Sequence, residues 1–376
     1  MRHRISLVPA LVIFIIAPMR ASADCSTLLA SPAATVQGKF LAITGYQYSY
    51  PLRGVAVGIS SPGLPLAASY EFANGWSTIA TVLPAGATAG EFESVFEDFN
   101  ATVIAVGWSY GAGGYKPLIE RLSGSSSSVL PNPSFLRHAT SLQSISGVPT
   151  EVGRYWIAGA SVAGFFDGAT WHDHSAFAHD SGYHVELTGI AVRGDNDVWI
   201  VGAEKHFPTT KPLIEHWNGK SWSLVADLGT ESELVGVFAD THGVWAVGRS
   251  ASGAPFAERS DGSKWSAPQL PASILAMQGE FTSASRWFYS GSTWVSGWYT
   301  APGSSNAKLP LVVHLKRSLD QWTIIDTTAT SYLDSLGGVF IGMDSLGFAV
   351  GYQTSDGIDD GGPTVTYPYA LELYCE

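Results

Sequence analysis

One short phrase returns seven times along this chain, and a repeat of that kind limits the fold more tightly than any composition does. It reads Val55-Ala-Val-Gly58, Ile104-Ala-Val-Gly107, Trp156-Ile-Ala-Gly159, Trp199-Ile-Val-Gly202, Trp245-Ala-Val-Gly248, Trp294-Val-Ser-Gly297 and Phe348-Ala-Val-Gly351. The closing glycines stand 49, 52, 43, 46, 49 and 54 residues apart. That is the period of one β-propeller blade.

Other features keep step with the phrase. About 13 residues before most of the glycines stands an apolar-x-small-apolar strand, as in Leu187-Thr-Gly-Ile190, Leu234-Val-Gly-Val237 and Leu336-Gly-Gly-Val339. Ile43-Thr-Gly-Tyr46 is read as the first of these. Asp195-Asn-Asp197 and Asp240-Thr-His-Gly243 between the two strands are turn chemistry. After the glycine come a variable loop and a third strand, such as Pro117-Leu-Ile-Glu120, Pro212-Leu-Ile-Glu215 or Pro255-Phe-Ala-Glu258. A hairpin and a fourth strand follow: Asp167-Gly-Ala-Thr-Trp171, Asn218-Gly-Lys-Ser-Trp222 and Asp261-Gly-Ser-Lys-Trp265. Asp-Gly and Asn-Gly supply positive φ at a tight turn. Each unit thus has four short strands, a to d. The small residue of strand a suits a crowded axis, and the aromatic of strand d is expected to cover the next blade. No segment carries a sustained helical period, which argues against an α/β fold.

The ends complete the pattern. The seventh unit supplies strands a, b and c and stops, and the stretch before the first unit is unassigned. A strand from Cys25–Val36 would supply the missing strand d and close the ring. The chain has two cysteines, Cys25 and Cys375, and in an oxidising compartment a pair at the two ends reads as a disulfide. The expected fold is an all-β, seven-bladed propeller, closed by its N-terminal strand and a terminal disulfide.

The compartment follows from the start of the chain. Arg2, His3 and Arg4 precede an apolar run from Ile5 to Ala17, and Ala21-Ser22-Ala23 is a small-x-small cleavage site. Residues 1–23 therefore read as a signal peptide, and 24–376 as one exported domain, secreted or periplasmic. The apolar run falls short of the roughly 20 residues that span a bilayer, so no membrane span is expected in the mature chain. Without the three arginines of the leader, 17 basic residues face 32 acidic ones, a net charge near −15. Phosphate backbones need clustered Lys and Arg, so nucleic acid is excluded as a partner.

The Val-Trp-Ala-Val-Gly phrase, followed by Pro-Leu-Ile-Glu-His-Trp-Asn-Gly-Lys-Ser-Trp, resembles the tandem repeats of secreted bacterial propellers grouped with kelch-like and Asp-box-like families. The resemblance covers nearly the whole mature chain. It implies the fold and export and carries no agreed activity. Sialidases place a residue between the Asp and Gly of their Asp-box, whereas Asp167-Gly168 and Asp261-Gly262 are adjacent here, so no catalytic arginines are carried over.

Candidate chemistry falls in four places. Gly107-Trp-Ser-Tyr-Gly111 matches the nucleophile elbow G-x-S-x-G, but breakers follow where a helix is required, and Ser109 reads as a loop serine. His172, His174, His179 and His184 lie close together, and His172 and His174 would share one side of an extended chain, as zinc ligands can. Asp356, Asp359 and Asp360 sit in a Gly-rich loop of the kind that holds calcium, without EF-hand spacing. Otherwise no cofactor is expected. Trp108, Tyr110, Trp298, Tyr299 and Tyr352 follow strand-b glycines and read as platforms at the starts of b–c loops. They are expected on one rim with His172 and His174, able to stack on sugar rings or anchor partners.

The function expected from these features is a non-catalytic binding propeller for a glycan or another cell-surface component. The alternatives are a polysaccharide hydrolase or lyase using the same face, and a structural envelope protein. Fold analogy does not separate them.

Overall fold

The computed structural model describes residues 25–29, 36–45, 53–71, 74–179, 184–206, 209–225, 232–240, 243–261, 264–268, 270–286, 293–300, 308–316, 321–325, 335–341, 346–355 and 365–375. The signal peptide expected at 1–23 and the loop carrying Asp356, Asp359 and Asp360 lie outside them.

The described strands form seven four-stranded antiparallel sheets. Strand β1 (Cys25–Leu29) belongs to the last of these. The first sheet runs β2 (Gly38–Thr44), β3 (Arg53–Ser60), β4 (Leu64–Glu71) and β5 (Gly75–Ile79). The second runs β6 (Ala87–Glu97), β7 (Val103–Gly111), β8 (Gly114–Ser123) and β9 (Ser126–Val129). In the third are β10 (Leu142–Ser146), β11 (Tyr155–Gly159), β12 (Val162–Phe166) and β13 (Trp171–Asp173). The fourth holds β14 (His184–Gly194), β15 (Asp197–His206), β16 (Thr209–Trp217) and β17 (Trp222–Leu224). The fifth holds β18 (Ser232–Asp240), β19 (Gly243–Ser250), β20 (Pro255–Ser260) and β21 (Trp265–Ser266). The sixth holds β22 (Gly279–Arg286), β23 (Thr293–Thr300), β24 (Lys308–Lys316) and β25 (Gln321–Ile324). The seventh joins β26 (Ser335–Ile341), β27 (Leu346–Ser355) and β28 (Val365–Cys375) to β1.

Burial falls from the inside of each sheet outwards. Strand b is apolar without alternation, and β11 is buried at every residue, because neighbouring sheets cover both of its faces. Strand d is short and largely exposed, as in β9 and β13. The first strand of all seven sheets faces one shared axial cavity, which is the arrangement of a β-propeller. Phe40, Ala56 and Leu66 of the first sheet share a core with Val350 and Ala370 of the last. Among the described residues no helix is long and apolar enough to cross a membrane.

The repeated glycine has a packing cause. In every sheet it pairs with the apolar residue of strand a that precedes a β-bulge: Phe40 with Gly58, Phe92 with Gly107, Leu142 with Gly159, Leu187 with Gly202, Leu234 with Gly248, Phe281 with Gly297 and Leu336 with Gly351. A bulge puts two residues opposite one and bends the strand. It also drives the preceding carbonyl onto the glycine, leaving no room for a Cβ at six of these positions. The small residue after each bulge answers a different neighbour. A Cβ on Gly189 would stand 2.9 Å from Val201 Cγ2, and one on Gly338 would stand 3.0 Å from Ile43 N of the first sheet. Two of the serines at this place link sheets, since Ile145 N donates to Ser94 Oγ and Ile190 N to Ser144 Oγ.

Two expectations are corrected here. The first strand a is Phe40-Leu-Ala-Ile43, set by the Phe40–Gly58 pairing, and not Ile43-Thr-Gly-Tyr46. The strand-d aromatics cover the preceding sheet, not the next. Trp222 meets Trp156, Trp265 meets Trp199, Trp322 meets Trp245, and Trp76 of the first sheet meets Phe348 of the last, with centroids 6.2, 5.6, 5.8 and 5.7 Å apart. Period-two parity puts these rings on one face of the strand, but only the packed assembly shows which neighbour that face meets.

Candidate functional site

Strand a supplies most of the axial cavity, which has a volume of about 1080 Å³. In six of the seven sheets the bulge residue lines it: Leu41, Glu93, Gln143, Thr188, Val235 and Thr282. Because strand b runs antiparallel to strand a, the end of b and the start of a share one face. Trp298, Lys308 and Tyr352 line the cavity at that end, and Arg193 and Asp197 at the other.

The mouth is a belt of charges set against rings. The Lys308 ammonium lies 3.8 Å from the Trp298 ring centroid, and the Lys39 ammonium lies 4.3 Å from that of Tyr352. The second and sixth sheets carry the same device at the residue before the bulge pair. The Trp108 indole N–H donates to Glu91 Oε2 at 3.1 Å, and that of Trp298 to Glu280 Oε2 at 3.2 Å. Burial raises both carboxyls, and the indole N–H offsets it in part. Glu93 goes further. Burial, with Glu91 beside it, pushes its carboxyl up to about 7. At the far end, Arg53 pairs with Glu97 at 3.2 Å and Arg193 with Asp197 at 3.2 Å.

The expected aromatic platforms separate. Trp298 and Tyr352 both line the axial cavity. Trp108 and Tyr110 gather with Tyr115 on the hairpin of the second sheet, where Tyr110 and Tyr115 are 44% and 55% exposed and their centroids lie 4.9 Å apart. Tyr299 packs against the apolar core of the sixth sheet. None of the five starts a loop, because β7, β23 and β27 run on past their glycines to Gly111, Thr300 and Ser355.

The histidines stand elsewhere. His172 lies on β13, the outermost strand of the third sheet, with Nε2 2.7 Å from Asp167 Oδ2. That contact, with the Thr170 and Ala169 amides, holds the Asp167 carboxyl well below the carboxylate range. The His174 ring sits against Trp156 and Trp217, with centroids 4.8 and 4.6 Å away, and burial lowers its pKa. His179 Nδ1 is 2.5 Å from the buried Glu215, which also accepts from the Ala178 and His179 amides. Glu215 thereby pins the linker that enters the fourth sheet. These contacts are the partners the structure gives to the two histidines read as zinc ligands. Among the described residues no three His, Cys, Asp or Glu side chains gather to hold a metal.

Ser109 is a buried residue of strand β7, not a loop serine, and its Oγ donates to the Lys116 carbonyl at 3.5 Å. Hairpin, not helix, follows it, so the elbow geometry is absent. Sequence reasoning passed over Glu93, Lys39 and Lys308. A signal was present for Glu93, the one charged residue among the seven x positions now seen to be bulges.

No family model matches the chain, and no curated protein matches it. The resemblance to kelch-like and Asp-box-like repeats therefore stands on the repeat phrase alone. Among solved structures, the chain is similar to one described as YCF48 bound to D1 peptide, with a TM-score of 0.59 and 12% identity over 96% of this chain and 99% of that one. At that identity the likeness carries the propeller fold and nothing more.

Proposed function

We propose that residues 24–376 form an exported, single-domain, non-catalytic binding propeller of seven blades that takes its ligand into the axial cavity. One observation carries the reading: a cavity shared by the inner strands of all seven sheets, with Trp298, Lys308 and Tyr352 at its mouth and Glu93 in its wall. Clefts of this volume with a few convergent polar groups are the usual form of a ligand site. The hydrolase alternative asks for His and Asp converging over a pocket, whereas His172 lies on an outer strand and His174 just after it, both with structural partners. Under this reading, replacing Val235, which faces the cavity, by tryptophan plugs the site. On glycan and peptide arrays probed with residues 24–376, whatever the native protein retains should lose at least tenfold in affinity in Val235→Trp. Retention by both alike, or by neither, would place the function elsewhere.

A glycan as the ligand keeps one specific support, the exposed Tyr110 and Tyr115 pair on the second sheet. Tyr110→Ala with Tyr115→Ala on the same glycan array separates that site from the cavity, and a chelator arm reads any metal held by Asp356, Asp359 and Asp360.

Ring closure belongs to the same proposal. Strand β1 pairs with β28 in a register that sets Cys25 opposite Cys375, which supports a disulfide between them in an oxidising compartment. In the chain-entropy model a loop of that length is worth about 4–5 kcal/mol. The intact mass of the exported protein after alkylation without reductant should show no modified thiol, and two alkylated cysteines would refute the bridge.

A further inference from the structure

We propose that the axial cavity recognises a cationic side chain, the ammonium of a lysine or the guanidinium of an arginine, on an extended segment of a partner polypeptide, with Glu93 as its counter-charge. The inference rests on the binding reading above and names the chemistry of the ligand.

Glu93 is singular in its setting. The other bulge residues facing the cavity, Leu41, Gln143, Thr188, Val235 and Thr282, are uncharged, and the seventh bulge is Gly337. Among the described residues no ion pair reaches Glu93, while the cations nearby are already engaged. Lys39 lies over Tyr352 and acts on Glu91, Lys308 lies over Trp298, and Arg53 and Arg193 are paired at the far end. The Trp108 N–H, bonded to Glu91 Oε2, offsets the burial of Glu93 only in part. Glu93 is half-buried; a carboxylate drawn out of water without a cation destabilises a folded chain, and a chain retains such a group where function needs it. The cation it lacks is what a ligand can bring.

The shape argues for a polypeptide. The cavity follows strand a along its length, about 20 Å for such a strand. That suits an extended chain better than a compact sugar.

The inference also predicts a pH response. Among the described residues the groups acting on Glu93 are Glu91 on its own strand and Trp108 on β7, while Gln143 of β10 lines the same cavity and Lys39 of β2 acts on Glu91. None of these neutralises it. Its carboxyl, raised to about 7, is ionised above that pH and neutral below, so a cation should bind more weakly as pH falls from 8 to 6. Binding in turn should lower that pKa and release a proton near pH 7.

The test uses residues 24–376 and an array of 12-residue peptides, each with one lysine or arginine and each paired with its acetyl-lysine or citrulline counterpart. Retained peptides should lose at least tenfold in affinity in the neutral counterpart and in Glu93→Gln, which is isosteric and whose folding a thermal melt verifies. The native affinity should fall from pH 8 to 6, with Glu93→Gln flat. Peptides indifferent to both neutral replacements but lost in Val235→Trp would overturn cation recognition and leave axial binding standing. Binding untouched by Val235→Trp would overturn axial binding itself. Retention of a chitosan hexamer in a Glu93-dependent way, with no peptide retained, would overturn the polypeptide as the source of the cation.

Discussion

Gly202→Ala should cost about 3 kcal/mol or more, enough to leave much of the protein unfolded or insoluble. The cause is space, not backbone conformation, because Gly202 is extended and a left-handed φ plays no part. Gly202 pairs with Leu187, the bulge follows at Thr188, and the added Cβ would stand well under 3.0 Å from the Glu186 carbonyl oxygen. Backbone cannot yield as a flexible side chain can, so the bulge itself would have to move. That would shift the strand which lines the cavity and carries Gly189 against Val237 of the fifth sheet. Gly114→Ala is the matched control. Gly114 has φ +81° with open space around its Cβ position, so alanine there costs only the left-handed conformation, about 1 kcal/mol. Urea unfolding midpoints of the two variants should differ in that order, and equal losses would remove the bulge as the cause of the repeat.

The second large effect is expected at Trp222. Its side chain is 5% exposed, its ring meets Trp156, Phe177 and Trp217, and its indole N–H donates to the His174 carbonyl at 2.7 Å. Trp156 belongs to the third sheet and Trp222 to the fourth, so one side chain fastens two sheets. Trp222→Ala should lose about 3–5 kcal/mol from the cavity alone, with the His174 carbonyl also stripped of its donor. Trp222→Phe keeps most of the buried area and should lose distinctly less. Chemical denaturation of the two variants checks the order, and equal small losses would show that this ring does not hold the sheets together.

The strand order within each sheet was legible because each strand type has its own chemistry. The strand-b phrase is apolar in six units and broken only by Ser296 in the sixth, since it is covered on both faces. Asp167-Gly168, Asn218-Gly219 and Asp261-Gly262 mark the c–d turns, and Gly168 and Gly219 do take positive φ. The candidate site was legible only in part. Trp298 and Tyr352, expected to face a ligand, reach the cavity, and Trp108 stands at its mouth on Glu91, but Tyr299, His172 and His174, expected near the same rim, do not line it. Their position along the chain was right, and their distance from the axis was what went wrong. Past Trp171, expected in strand d, His172 and Asp173 continue the outermost strand of their sheet, which holds them away from the axis.

A repeat period, a glycine at a constant place and turn dipeptides are local facts, and they determined from sequence alone that this chain builds successive four-stranded antiparallel units. The reason for the glycine lay in the tertiary structure, because a bulge is a mismatch between two strands and belongs to neither. The same mismatch turns Glu93 towards the axis, which alternation along its own strand does not reveal. Which sheet a tryptophan covers was likewise decided by assembly: parity selects a face of the strand, and only packed neighbours give that face a partner. The cavity was beyond any single repeat, since its wall is the sum of seven inner strands, and Glu93, which no ion pair reaches among the described residues, has meaning only where they meet.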